Sequence, residues 1–106
     1  MAVDIRDNPA AQRFEIYDSE VLAGVADYVI AGDRISLTHT ETLPAFAGRG
    51  LAKQLITFAL EQARAHTLQV LPICPYALRV ISENPEAYLD LVPPDARAGF
   101  ALPSTH

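Results

Sequence analysis

The hydrophobic period of the chain changes from two residues to 3.6 at Gly50, and this change limits the folds that the sequence can adopt. Before it, polar and apolar residues alternate in three runs, at 12–17, 20–30 and 34–41, which short turn sequences separate. Runs this close together predict an antiparallel meander of three strands. After it, apolar residues recur three and four positions apart, which predicts an amphipathic helix of about four turns.

The second half continues with one strand and two short helices. Residues 68–72 are apolar and follow the helix, so we expect them to pair in parallel with the 34–41 strand through a right-handed crossover. Prolines directly after Cys74 and Asn84 predict two helix starts. The predicted class is α+β: a three-stranded antiparallel meander, a central amphipathic helix, a parallel strand and two short helices.

Length and composition restrict the kind of protein. The 106 residues are enough for one domain, which we predict over 1–92, followed by a loosely held, proline-rich tail over 93–106. The alternative for this tail is that Phe100 and Leu102 dock back on the body of the domain. The net charge of −5 argues against a nucleic acid as partner, because domains that bind nucleic acids normally carry a basic face. No run approaches the roughly 18 apolar residues of a membrane-spanning helix, so we predict a cytoplasmic protein without a membrane partner.

Cysteine and histidine are too sparse for a metal site. The single cysteine, Cys74, excludes an intrachain disulfide and any zinc site built on paired cysteines. The three histidines, His39, His66 and His106, lack the spacing of metal ligands. We therefore predict no metal.

The predicted helix starts without a side chain that can cap it. The stretch AGRGLA at 47–52 has glycine at 48 and 50, where Ser, Thr, Asp or Asn normally accepts from a bare backbone N–H. Arg49 and Lys53 add positive charge to the positive end of the helix dipole. An anion would compensate both features, and the glycines would let it approach the backbone closely. The alternative is a glycine-rich turn whose N–H groups bind water.

Three segments of the chain carry recognisable motifs: HTETLPAFAGRGLAKQL at 39–55, VLPICPY at 70–76 and NPEAYLDLV at 84–92. In this order and spacing they resemble the GNAT superfamily of acetyltransferases. The resemblance is to the minimal branch of that superfamily, small stand-alone domains with a Cys-Pro-Tyr signature, and it extends over about residues 12–92.

The superfamily's pyrophosphate-binding signature is Arg or Gln, two variable residues, Gly, one variable residue, then Gly or Ala. In this chain it falls on residues 47–52, where Gly50 and Ala52 match and Ala47 replaces the usual Arg or Gln. Since most contacts in that family come from backbone N–H groups, we expect this departure to weaken the site without abolishing it.

The resemblance implies acetyl-CoA as co-substrate. Its pyrophosphate would bind the turn at 48–53, and its pantetheine arm would lie where the 34–41 and 68–72 strands splay apart. A backbone N–H between Thr40 and Thr42 would stabilise the oxyanion. The cofactor-binding residues implied in this way are Thr40, Glu41, Thr42, Gly48, Arg49, Gly50, Leu51, Ala52, Lys53, Cys74 and Tyr76.

Cys74 is the candidate nucleophile. Pro75 favours an extended backbone at Cys74 and a helix directly after it, so the thiol would lie at a helix N-terminus. There it would gain thiolate character and accept the acetyl group before passing it on. The alternative is a small buried residue that only packs.

His39 and Glu41 are the candidates for the general base. Both continue the inward face of the 34–41 strand if no bulge interrupts it, and the pKa of a histidine suits neutral pH. The alternatives are a hydrogen-bonded core histidine and a solvated glutamate at the strand end. Tyr76 and Tyr88 are weaker candidates for protonating the leaving thiolate, because each has the spacing of a packing residue.

The predicted function is acetyl transfer from acetyl-CoA to an acceptor that the sequence does not identify, a protein or a small amine, either directly or through acetyl-Cys74. Two other classes stay open: a domain that binds acyl-CoA without catalysis, and a protein-interaction module whose glycines only form a turn. The chain lacks the extra helices and terminal strands of larger superfamily members, so the acceptor side is open or covered by a second copy, and we expect a monomer or a homodimer.

Overall fold

The computed structural model describes residues 3–104, so His106 lies outside the described residues. These residues form one sheet in the order β1-β2-β3-β4-β5 together with four α-helices. The strands are β1 (Val3–Asn8), β2 (Arg13–Asp18), β3 (Val21–Ala31), β4 (Arg34–Thr42) and β5 (Gln69–Pro72). The helices are α1 (Leu51–Ala65), α2 (Pro75–Glu83), α3 (Pro85–Tyr88) and α4 (Pro94–Arg97). Within this range, no helix is long and apolar enough to cross a membrane.

The predicted meander of three strands is wrong by one strand, because the N-terminal residues form β1. β1 runs antiparallel to β2 along its whole length. Val3 and Ile5 are half-buried, whereas Asp4 and Arg6 are exposed. Charged residues are common on edge strands, where they discourage pairing with another chain. The antiparallel part of the sheet therefore has four strands, β1 to β4.

α1 packs its apolar stripe against one face of the sheet, which confirms the predicted amphipathic helix. The buried residues of this stripe are Leu51, Leu55, Ile56, Ala59, Leu60 and Ala63. They share one core with buried residues of the strands: Phe14, Ile16, Ala26, Ile35 and Leu37. Because burial of one large apolar side chain contributes about 1.5–3 kcal/mol, this layer is the main source of stability.

β5 pairs in parallel with β4, as the sequence predicts. The two predicted proline starts are also confirmed, since Pro75 opens α2 and Pro85 opens α3. α3 continues into a 3-10 turn over Leu89–Leu91. The second short helix, predicted to start after Asn84, is therefore a short α-helix followed by a tighter turn.

The C-terminal segment, predicted to be loosely held, packs on the body of the domain. Pro93 is buried, and α4 and a 3-10 turn at Ala98–Phe100 follow it. Leu102 is buried as well, and Arg34 at the start of β4 contacts Asp95 at 3.1 Å. The prolines on which the prediction of a loosely held tail rested instead favour short helix starts, because their fixed φ suits the first turn of a helix.

Candidate functional site

α1 begins without a capping side chain. Its N-cap residue is Gly50, with a left-handed backbone (φ 72°, ψ 15°), and its first turn contains no acidic residue. Gln54 N–H donates to Gly50 O at 3.3 Å, so the N–H groups of Leu51, Ala52 and Lys53 have no acceptor within the helix. They lie at the positive end of the helix dipole, where an anion is stabilised.

Gly48 and Gly50 shape the turn before the helix. Their φ angles are 79° and 72°, in a region that residues with a side chain disfavour. A Cβ built on either glycine would meet nothing within 4 Å. The backbone of this turn is therefore open on its outer side, as the close approach of a phosphate requires.

Two basic residues flank the helix start, and their surroundings differ. Arg49 contacts Asp18 of β2 (Nη2 to Oδ2, 2.5 Å), and its guanidinium carbon lies 5.4 Å from the ring centroid of Phe46. Lys53 is exposed and, with Gly50, lines an open pocket of about 440 Å³ between α1 and β1. Arg49 thus ties the turn to the end of β2, whereas the ammonium of Lys53 is available to a ligand in solvent.

β4 and β5 separate beyond the pair Leu37↔Pro72, where their register ends. Cys74 N–H still donates to Leu37 O at 2.8 Å, and the chain then turns into α2. β4 continues beside β3 as far as Thr42. The last part of β4 therefore faces a gap where a longer β5 would lie.

Backbone donors of β4 point into this gap. Leu43 N–H donates to Ala23 O at 2.8 Å, so the adjacent pair Thr42↔Gly24 is a non-hydrogen-bonded pair of the antiparallel ladder. By the same alternation, Thr40 directs its N–H away from β3. The N–H groups of Thr40 and Thr42 therefore lie on the edge of β4 that faces the gap.

A β-bulge in β4 reverses the predicted facing of His39 and Glu41. β3 is in register with Leu37 and with His39 but skips Thr38, which is an extra residue on β4. The side chains of His39 and Glu41 are 58% and 56% exposed, and they contact each other (Nε2 to Oε1, 3.3 Å). His39 and Glu41 are expected on the inward face only if no bulge interrupts the strand. That condition is not met, because the bulge shifts the alternation by one residue; Thr40 is half-buried instead.

Cys74 lies beside the gap, between the end of β5 and α2. Its backbone is extended and it occupies the N-cap position of α2, as Pro75 predicts. The residue is 4% exposed, and its Sγ lies 3.2 Å from Thr40 Oγ1. Reactive cysteines are usually partly exposed, so this burial favours the packing alternative, while the contact with Thr40 keeps the thiol close to the backbone donors of β4.

The two candidate tyrosines pack on the core. Tyr76 in α2 is half-buried against it, and the Arg79 guanidinium carbon lies 5.8 Å from the Tyr76 ring centroid. Tyr88, the last residue of α3, is half-buried against the same core. Both therefore have the packing contacts that their spacing in the sequence predicts.

Gly24 is a residue of the site that the sequence analysis misses. It lies opposite Thr42, and a Cβ there would be 2.8 Å from Glu41 O, closer than side-chain carbons approach a backbone oxygen. A residue with a side chain would push β4 away from β3 at the gap. The sequence does carry a signal, because an isolated glycine inside a strand pattern such as VLAGVADYV suggests a close backbone approach.

The side chains able to bind metals are dispersed over the described chain. Across residues 3–104, no three His, Cys, Asp or Glu side chains come together in a group that could hold a metal ion.

Known proteins match this chain in sequence and in fold. The profile of the family described as GCN5-related N-acetyl-transferase matches residues 13–91. Protein NATD1 from Bos taurus is 38% identical over 69 residues, which are 63% of this chain and 61% of that protein, so the chain spans about three fifths of this relative's length. A solution NMR structure of a GCN5-like protein from Staphylococcus aureus matches with a TM-score of 0.63 at 23% identity, over 85% of this chain and 87% of that one. At this identity the structural match supports the fold alone.

Proposed function

The chain belongs to the GCN5-related N-acetyltransferase family, and from this membership we propose that it transfers the acetyl group of acetyl-CoA to an acceptor amine. The observation that carries the proposal is the departure of β5 from β4 after Leu37↔Pro72, which leaves the N–H groups of Thr40 and Thr42 facing a gap. An open strand edge can pair with an extended ligand, so the amide groups of a pantetheine arm can take the place of the missing part of β5.

The turn before α1 fits the pyrophosphate of the same ligand. Its outer side is open at Gly48 and Gly50, and three N–H groups of the first helical turn lack acceptors within the helix. Lys53 adds an exposed positive charge. Ala47 contributes no side-chain donor, so the proposed binding depends on the backbone and on this charge.

Transfer requires that a bond form between the acceptor nitrogen and the acetyl carbon while the bond from carbon to sulfur breaks. The carbonyl oxygen gains negative charge during this step, and we propose the Thr40 or Thr42 N–H as the donor that stabilises it. The acceptor must lose a proton and the departing thiolate must gain one. The His39–Glu41 pair, next to Thr40 on the outer face of β4, is the proposed base for an acceptor that approaches from that face.

Two routes for the acetyl group differ in the role of Cys74: direct transfer to the acceptor, and transfer through acetyl-Cys74. An acetyl-Cys74 intermediate is supported by the 3.2 Å contact between its Sγ and Thr40 Oγ1, because that contact holds the thiol beside the gap. Direct transfer is supported by the burial of the residue, since attack on a thioester needs an accessible thiolate. We propose direct transfer as the main route and acetyl-Cys74 as the competing hypothesis.

A domain that binds acyl-CoA without catalysis is the second candidate function. It is favoured by the bulge in β4, because the bulge turns His39 and Glu41 outwards and leaves two threonines towards the inner face. A protein of this kind would have the same ligand site but no base directed into the gap.

One experiment separates these functions. The purified protein is incubated with acetyl-CoA and a panel of small amines and lysine peptides, and free CoA is measured by chromatography. At about 100 times its dissociation constant, a ligand adds about 2.7 kcal/mol, so acetyl-CoA should raise the melting temperature by roughly 10–20 °C. Release of CoA that depends on an amine supports the transferase. Stabilisation without release identifies the binding domain, and the absence of both effects rejects the acetyl-CoA site.

A further inference from the structure

A second cavity lies near the C-terminal end of α1, away from the glycine turn. Its volume is about 310 Å³, and α1 contributes Gln62, Ala63 and His66 to its lining. Since α1 has 15 residues, its two ends are about 22 Å apart. The cavity is therefore separate from the proposed acetyl-CoA site.

The inner part of the cavity is apolar and its edge is polar. Phe14 and Ile35 are buried in its wall, and Leu68 is half-buried. Asp7 and His66 are exposed at the edge. An apolar pocket with a few convergent polar groups is the usual form of a site for small molecules.

One oxygen of the Asp7 carboxylate can accept a hydrogen bond from a ligand. Tyr28 donates its hydroxyl to Asp7 Oδ1 at 2.7 Å, and this is the only side-chain hydrogen bond of Asp7 within residues 3–104. Burial first, and then the hydrogen bond to Asp7, raise the pKa of Tyr28 to about 12. The phenol therefore stays protonated at neutral pH and donates to Oδ1, while Oδ2 accepts no side-chain hydrogen bond within residues 3–104.

The charges around the cavity favour a ligand with a positive charge. Asp7 is anionic, and the C-terminal end of α1 contributes the negative pole of the helix dipole. A cation is therefore favoured at the edge, whereas the wall favours an apolar group. The volume lies near the lower limit of about 300 Å³ for pockets that bind small molecules, so the apolar group is restricted to one ring or a short alkyl chain.

We infer that this cavity binds a small amphipathic primary amine, with the ammonium on Asp7 and the apolar body against Phe14, Ile35 and Leu68. The site is independent of the proposed acetyl transfer. Its ligand would bind near the C-terminal end of α1, whereas the glycine turn precedes the N-terminal end, so a negative result here leaves the proposed transferase unaffected and the converse also holds.

The test uses three probes of similar shape and different charge: phenethylamine, 2-phenylethanol and 3-phenylpropionate. Each is titrated into the protein labelled with nitrogen-15, and amide chemical shifts are followed by NMR. We expect shifts that cluster at Phe14, Tyr28 and Leu68, and an affinity for the amine roughly fivefold higher than for the alcohol, because a partly exposed ion pair contributes at most a modest amount. The carboxylate should bind more weakly than the alcohol.

Asp7→Asn should remove the preference for the amine over the alcohol. The matched control is Asp4→Asn, on the same strand, since Asp4 contacts Arg6 and is not part of the cavity. This control should bind the amine as the unsubstituted protein does. Equal affinity for amine and alcohol in the unsubstituted protein would overturn the proposal, and so would shifts outside the cavity or an unchanged preference in Asp7→Asn. The comparison of the three probes decides the matter even if a variant fails to fold.

Discussion

Substitution of Gly50 can separate the stability of the glycine turn from its ability to bind a ligand. Gly50 has a φ of 72°, and a Cβ there would meet nothing within 4 Å. Gly32, in the turn between β3 and β4, has a φ of 61° and equally free surroundings. Alanine at either position therefore adds similar backbone strain without a clash. Only Gly50 lies at the proposed pyrophosphate site, which makes Gly32 a matched control.

The expected magnitudes follow from the backbone and from charge. The left-handed conformation costs a residue with a Cβ roughly 1–2 kcal/mol, and the loss of glycine freedom in the unfolded chain offsets about 0.4–1 kcal/mol of this. Both alanine variants should therefore lose about 1 kcal/mol, or roughly 4–8 °C in melting temperature. Gly50→Glu adds a negative charge at about 5 Å from a doubly charged pyrophosphate, and the screened repulsion of about 1–2 kcal/mol should weaken binding roughly 5- to 30-fold.

The assay is calorimetric titration of coenzyme A into the unsubstituted protein, Gly50→Ala, Gly32→Ala, Gly50→Glu and Gly32→Glu, with thermal denaturation of each in parallel. We expect similar losses of melting temperature at the two positions, and a loss of affinity only at Gly50. An affinity of Gly50→Glu equal to that of the unsubstituted protein would refute the assignment of the pyrophosphate to this turn. Equal losses of affinity at the two positions would show that strain, and not position, controls binding.

Three further predictions concern single side chains. Lys53→Gln should weaken coenzyme A binding and reduce its salt dependence, because the charge of this lysine acts through solvent; identical slopes against ionic strength, measured by titration calorimetry, would argue against its role. If transfer is direct, Cys74→Ala should keep its turnover, and intact-mass spectrometry of the unsubstituted protein should detect no acetyl adduct after incubation with acetyl-CoA. A single adduct on the unsubstituted protein that hydroxylamine removes would instead establish acetyl-Cys74. Tyr28 has its pKa raised from the usual 10 to about 12, so its contribution to stability is complete below pH 10 and is lost as the pH rises through 12. The hydrogen bond to Glu15 also raises the pKa of Tyr17, so urea denaturation at pH 9 and pH 11.5 should show a smaller loss of stability in Tyr28→Phe than in the unsubstituted protein; equal losses would contradict the role of Tyr28.

Local sequence patterns account for most of the fold. The alternating runs identify β2, β3 and β4, the 3.6 period identifies α1, and the two X-Pro steps identify α2 and α3. β1 escapes this reasoning because only Val3 and Ile5 alternate with its charged residues, and because its place at the sheet edge depends on pairing with β2. The contact between Arg34 and Asp95 that helps to hold the C-terminal segment joins residues far apart in sequence, so no local pattern predicts it.

The candidate site divides in the same way into local and non-local parts. The uncapped start of α1 can be predicted, because it depends on which residues stand at 48–53 and on nothing distant. The contact of Arg49 with Asp18 cannot be predicted from the sequence, because it requires the end of β2 to lie beside the turn. Its consequence is functional: since Arg49 is engaged by an acidic residue, Lys53 becomes the better candidate for attracting phosphates.

The bulge at Thr38 explains why the predicted base residues lie on the outer face of β4 and not on its inner face, while the predicted oxyanion segment keeps backbone donors towards the gap. In a regular strand, side chains and backbone N–H groups alternate together, so an extra residue shifts both by one position. His39 and Glu41 would then have faced inwards with their N–H groups towards the gap; with the bulge, Thr40 and Thr42 take that backbone orientation. The sequence 34–41 alternates regularly and carries no mark of the extra residue, because the bulge depends on how β3 and β4 match at both ends of their pairing. The oxyanion prediction covers three consecutive residues, so a shift of one residue still leaves backbone donors of that segment facing the gap. The base prediction depends on the face that one side chain occupies, and a shift of one residue reverses that face.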